Sequence, residues 1–271
     1  MMKKIIFSGL ILVILFLISF CPVVYAAEKI SARVIHIKGD VEINGVKAEV
    51  GGAVKENDRI VTGRRSYLEI AFGSSLKNNI RIAANSLAVI KKISSKEIDI
   101  GLSSGKIFSL VTDIGENQNF RIVTPVAVAG VRGTGWTSRT DGDESGFSAF
   151  ENHIFVQGID KAGNLTKGAV VRGGWKLNIR KFEFPERVGK VSWKEKREWK
   201  KCKRILVRNV KSFIKKEAEK DEGEEERFER EGGRLEKIID RSDSTIERND
   251  ARRIDERMER EDNVRGGEIS P

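Results

Sequence analysis

Thr124-Pro125-Val126-Ala127-Val128-Ala129-Gly130-Val131-Arg132-Gly133-Thr134-Gly135-Trp136 is the stretch on which the reading of this chain turns. It reads as the end of a strand, a bend fixed by Pro125, a strand of small apolar residues and a glycine-rich turn. No His, Cys, Asp or Glu lies in it, so none of its side chains offers a general base or a metal ligand at neutral pH. Gly130 to Gly135 has the glycine density of a phosphate loop, but it lacks the Gly-Lys-Ser/Thr ending and a following helix.

Outward from this stretch the pattern stays β. Residues 32–37 alternate apolar with polar, and Val41-Glu42-Ile43 runs into Asn44-Gly45, a strong two-residue hairpin signal. Further runs lie at 67–72, 87–93, 97–102, 106–111, 120–124, 146–150, 154–157 and 175–179, and Asp58 and Thr62 bracket one more short strand. Gly39, Gly51, Gly63, Gly73, Gly101, Gly105 and Gly133 stand where runs stop, as expected where φ turns positive. Spacing of roughly ten residues between short strands marks a sandwich, barrel or solenoid, and periodicity alone does not separate them.

The 124–136 stretch has companions upstream. They are Gly39-Asp40-Val41-Glu42-Ile43-Asn44-Gly45, then Asp58-Arg59-Ile60-Val61-Thr62-Gly63, then Ser66-Tyr67-Leu68-Glu69-Ile70-Ala71-Phe72-Gly73. Together they resemble the FecR domain, a periplasmic module of ferric-citrate signalling regulators, over roughly residues 34–158. On this resemblance the family motif falls on Thr124, Pro125, Gly130, Arg132, Gly133 and Thr134. It implies a mainly β fold, a twisted solenoid or sandwich of short strands, followed here by a charged α-helical C-terminal region. Signalling members of the family carry an anti-sigma domain ahead of a membrane helix. Only Met1 to Lys4 precede the apolar run here, so the expectation is an exported module rather than a direct regulator of a sigma factor.

Lys3 and Lys4, an apolar run over residues 5–20, Pro22 and the small-residue site Val24-Tyr25-Ala26 follow the order of a secretory signal. The run is shorter than the roughly 20 residues that span a bilayer comfortably. Cleavage between Ala26 and Ala27 is expected; the alternative is an uncleaved helix anchoring the chain in the inner membrane, facing the periplasm. Cys21 would leave with the signal, so Cys202 is the sole cysteine of the mature chain. It is read as an apolar helix residue, with cross-linking of two copies as the alternative.

Charge divides the rest. Residues 190–220 hold 13 Lys or Arg against 4 Glu, and residues 221–271 hold 11 against 18. The basic segment is amphipathic: Trp199, Cys202, Leu206, Val210 and Phe213 recur at helical spacing, with Lys201, Arg204, Arg208, Lys211 and Lys215 toward the other side. The apolar stripe is expected to cover an open end or edge of the β domain; a membrane surface, a partner or a second copy are its alternative targets. Trp199, Leu206, Val210 and Phe213 are therefore the candidate face for partner or membrane. The acidic segment is too sparse in apolar residues to bury much area. The domain reading is a signal at 1–26, a FecR-like all-β domain at 27–185, a basic helix at 186–220 and a tail, helical or disordered, at 221–271.

No catalytic set assembles. His36 and His153 are the only histidines, both within strand runs, and no zinc spacing occurs. Asp141-Gly142-Asp143-Glu144-Ser145 is too short for an EF-hand loop and reads as a hairpin tip. The expectation is a non-enzymatic periplasmic or cell-envelope module with no catalytic residue, cofactor or metal. Its partner would be an envelope protein or polymer and not nucleic acid. The alternative is a membrane-tethered sensor component. Mass spectrometry of the secreted protein should find Ala27 at its N-terminus; an intact Met1 in the membrane fraction would contradict cleavage.

Overall fold

The apolar runs at 97–102 and 106–111, two strands by their sequence, are one. In a computed structural model, which describes residues 31–112, 118–131, 133–185 and 188–219, they form β8 (Glu97–Val111). Before it come β1 (Ala32–Lys38), β2 (Val41–Ile43), β3 (Val46–Lys47), β4 (Arg59–Thr62), β5 (Tyr67–Phe72), β6 (Asn78–Ile82) and β7 (Ser86–Ile93). After it come β9 (Asn119–Val123), β10 (Ala127–Val131), β11 (Thr134–Thr140), β12 (Glu144–Ala149), β13 (His153–Gly158), β14 (Ala169–Arg172), β15 (Trp175–Arg180) and β16 (Val188–Lys190). The helix α1 (Trp193–Ala218) closes the described chain.

β8 is long enough to serve two sheets. Its first half pairs with β7 and with β9, the latter in parallel, and its second half pairs antiparallel with β6 and β11. Gly105, at φ 96°, lies where it passes from one to the other. Sheet A runs β1-β5-β6-β8-β11-β12-β15-β16, and sheet B runs β3-β2-β4-β7-β8-β9-β10-β13-β14. Neither sheet closes on itself. Among the architectures that strand spacing left open, two sheets joined through β8, antiparallel except at β8–β9, make a twisted sandwich.

The core lies between the sheets. On β9, Phe120 and Ile122 point inward while Arg121 points out, and Phe120 meets Phe72 of β5 and Trp136 of β11 edge to face at 5.7 and 5.8 Å. Burying side chains of this size contributes roughly 1.5–3 kcal/mol each. Turns follow the residues expected of them: Asn44 and Gly45, both at positive φ, close the β2–β3 hairpin, and Asp58 accepts from the amide of Lys55 at 2.7 Å. The glycine reading needs one correction. Gly39, Gly51, Gly73, Gly105 and Gly133 do have positive φ, but Gly63 and Gly101 do not. Gly63 is instead crowded by Asp40, and Gly101 sits inside β8 against the Lys91 side chain.

The chain does not end its β structure at Pro185. β16 pairs with β15, and Ser192 then caps α1 in a reciprocal box, its hydroxyl accepting from the amide of Glu195 while its own amide donates to the Glu195 carboxylate at 2.9 Å. Burial pushes the Glu195 carboxyl upward, but the Ser192 hydroxyl, Lys176 and the Ser192 amide outweigh it and hold the group at about 2. Because that lies below the ordinary 4.5, its stabilisation is complete above pH ~4.5 and drains away as pH falls toward ~2. Thermal melts should show Glu195→Gln costing about 1 kcal/mol at neutral pH, discounted for solvent exposure, with the gap to the parent shrinking below pH ~4.5 and vanishing only as pH falls through about 2. A gap that stays constant with pH would exclude the carboxylate as its source.

Candidate functional site

The outer faces of the two sheets have opposite fates. On sheet A, β5 and the second half of β8 are mostly apolar and buried on both sides, as strands covered on both faces are. Leu68, Ile70 and Phe72 go to the core, while Ala71 of β5 and Phe108 and Leu110 of β8 go outward and meet α1. Trp199, Cys202, Leu206 and Val207 pack on Phe108 and Leu110, and Val210 and Phe213 pack on Ile35 and Ala71. All four candidate face residues, Trp199, Leu206, Val210 and Phe213, are thus buried by the chain itself. They cover a sheet face rather than the open end or edge expected, because it is that face which carries the outward apolar residues.

Polar groups fix the register of this docking. Glu69 of β5 is fully buried; Arg81 of β6 donates to it from Nε at 2.8 Å and also from Nη2, and Asn209 of α1 donates from Nδ2 at 2.9 Å. The Arg81 guanidinium also lies 4.3 Å from the Tyr67 ring centre, on whose ring His36 stacks. A second buried pair, Lys203 to Glu151 at 2.8 Å, ties the helix to the end of β12. Burial pushes the Cys202 thiol up to about 12, so it stays protonated and inert while α1 is docked, and a disulfide between copies would need the helix to lift.

The 124–136 motif divides between the two outer faces. Thr124 closes the β9–β10 turn, its hydroxyl accepting from the Ala127 amide at 3.0 Å, with Pro125 exposed at the bend. Gly130 lies on β10, facing outward on sheet B opposite Phe155. Gly133 turns the chain at φ 97°, and Thr134 starts β11 with its hydroxyl on the Glu151 carbonyl. Arg132 lies outside the described residues, as do Ala26, Ala27 and the 221–271 tail. Gly135 was not among the motif residues singled out, yet it has the clearest task. A Cβ there would overlap the Trp199 ring, which stacks on Phe150 at 4.9 Å.

Sheet B has no such cover among the described residues. Its outer surface carries a shallow groove of about 370 Å³ lined by Arg121, Val128, Gly130, His153, Phe155 and Leu165. Phe155, Leu165 and Val170 are exposed there, and Gly168 leaves room for the Phe155 ring. At its rim Arg121 donates to Asp99 at 2.7 Å and to Glu97, which also pairs with Lys92 at 2.8 Å. Its floor is apolar and its rim is ionic, the arrangement in which protein interfaces place an apolar centre inside a polar border. His153 stands on the open rim, and no group of three or more His, Cys, Asp or Glu among the described residues could hold a metal. Sequence reasoning missed this groove because outward residues on four separate segments, β9, β10, β13 and the loop at Leu165, build it.

Residues 58–155 match the family model described as FecR protein. The match runs from β4 into the first half of β13, and so takes in Gly135 and, of the groove, Arg121, Val128, Gly130, His153 and Phe155; Leu165, Trp199 and the upstream Gly39–Gly45 stretch lie outside it. Two crystal structures of a Parabacteroides distasonis protein described as a "putative anti-sigma factor" are similar at 10% identity and a TM-score of 0.42, over 52% of this chain and 63% of theirs. No curated protein matches the chain.

The backbone at Gly135 is not at positive φ, so Gly135→Ala tests the ring overlap alone. It should lower stability by about 1–3 kcal/mol and speed labelling of Cys202 by a thiol reagent in the folded protein. Unchanged Cys202 labelling would show that α1 does not depend on this seat.

Proposed function

We propose that the protein is a non-enzymatic, exported FecR-type module that works by recognition, presenting the open face of sheet B to an envelope protein or polymer. FecR is a regulatory, signalling-related family rather than a catalytic one, which supports the broad class. The observation that carries the finer reading is the asymmetry of the sandwich. One outer face is sealed by the chain's own helix, and the other keeps exposed Phe155, Leu165 and Val170 beside an ionic rim. An apolar patch left open in a fold that covers its other outward apolar face marks a binding surface. The N-terminal segment supports export, by the charged, apolar and small-residue order of residues 3–26.

Phe155→Asp should separate recognition from folding. The side chain is exposed, so the melting temperature should stay close to the parent's, within about 0.5 kcal/mol of stability. A photo-crosslinking residue placed at Leu165 in cells should give a discrete adduct, and Phe155→Asp should reduce it at least tenfold, as loss of an aromatic anchor worth about 2 kcal/mol would do. No adduct from the groove, together with an adduct from an exposed position of α1 such as Lys200, would move the binding surface to the other side of the molecule.

A further inference from the structure

With its apolar stripe buried, α1 turns a different surface outward. Arg197, Lys201, Arg204, Arg208 and Lys215 are exposed and recur at steps of 4, 3, 4 and 7, which places them on one stripe opposite the docked face, with exposed Lys194 and Lys200 beside it. At a rise of about 1.5 Å per residue, the stripe from Arg197 to Lys215 runs about 27 Å. Only Glu198 interrupts its first half, and that carboxylate is engaged by Lys106 of β8 at 2.8 Å. Like charges at this spacing oppose helix formation by a few tenths of a kcal/mol per pair. Folding therefore gains nothing from them, whereas the docked face already holds the helix in place.

The shape of the surface selects among anionic ligands. The stripe stands on a helix laid across the outside of sheet A, so it is a convex ridge and not a groove that could wrap a soluble strand. At its N-terminal end Trp193 is 72% exposed, with the Arg197 guanidinium 5.2 Å from its ring. A straight cationic ridge ending in an exposed indole matches a flat anionic lipid surface, where Lys and Arg meet the headgroups and Trp settles at the interface. We propose that the solvent face of α1 docks the protein on anionic phospholipid, leaving the sheet B groove on the opposite side of the sandwich and facing away from the bilayer.

Co-sedimentation of the full chain with phosphatidylcholine vesicles, with and without phosphatidylglycerol, tests this. Comparing the two compositions removes any contribution from the apolar run at residues 5–20, which would enter either bilayer. Binding should require phosphatidylglycerol and fall steeply with added salt. Each of Arg197→Gln, Lys201→Gln, Arg204→Gln and Arg208→Gln should lower the partition coefficient about fivefold at low salt, while Lys200→Arg with Lys201→Arg keeps it. These positions are exposed, and an unchanged melt confirms that each variant folds. Trp193→Phe should abolish any blue shift of emission seen on binding. Binding indifferent to phosphatidylglycerol, binding that survives when all four Gln substitutions are combined in one chain, or capture of a soluble polyanion such as heparin with no vesicle binding would each overturn the proposal.

Discussion

The seating of Trp199 over Gly135 is the contact on which the rest of the molecule depends. Sheet A offers Phe108, Leu110, Ala71 and Ile35 on the side away from the core, and without a cover that surface would face water. α1 supplies the cover largely through apolar packing: the Trp199 indole N–H is buried without a hydrogen-bond partner among the described residues. Leaving that donor unpaired costs about 1–3 kcal/mol, so the aliphatic and aromatic contacts along the helix must exceed it. The buried Glu69–Arg81–Asn209 set then selects one register, since sliding the helix would take Asn209 away and leave a buried Glu69 carboxylate oxygen without its donor.

From this single docking the division of labour follows. The motif glycines serve two faces that never meet: Gly135 makes room for the helix on sheet A, and Gly130 keeps the groove floor low on sheet B. A chain that closes one face with its own helix is left with one open β surface and one cationic ridge, on opposite sides of the same core. Those two surfaces are the ones to which the proposed recognition of a partner and of anionic lipid is assigned.

Much of the strand pattern was legible because alternation survives in the sequence. Residues 67–72 and 41–43 are strands with the limits their alternation suggests. β6 escaped because Asn78 and Asn79 look like turn residues, although Ile80 and Ile82 alternate behind them. β11 escaped because Thr134-Gly135-Trp136-Thr137 reads as the end of a glycine-rich turn, whereas Gly135 is extended and simply bare. The helix and its buried stripe were legible from the spacing of Trp199, Leu206, Val210 and Phe213; its destination was not. The signal was present in the nearly unbroken apolar runs of β5 and the second half of β8, but it shows that a face is covered without naming the cover. The contacts of Glu69 with Arg81, 12 residues on, and with Asn209, 140 residues on, have no local signature at all.

Hydrogen–deuterium exchange on the full chain tests the central claim most directly. If α1 is part of the sandwich, the amides around Cys202, Leu206 and Val210 should exchange only with the slow global opening that releases the β8 core. Helix amides exchanging within seconds while β8 remains protected would show that α1 is not docked and that the outer face of sheet A is open.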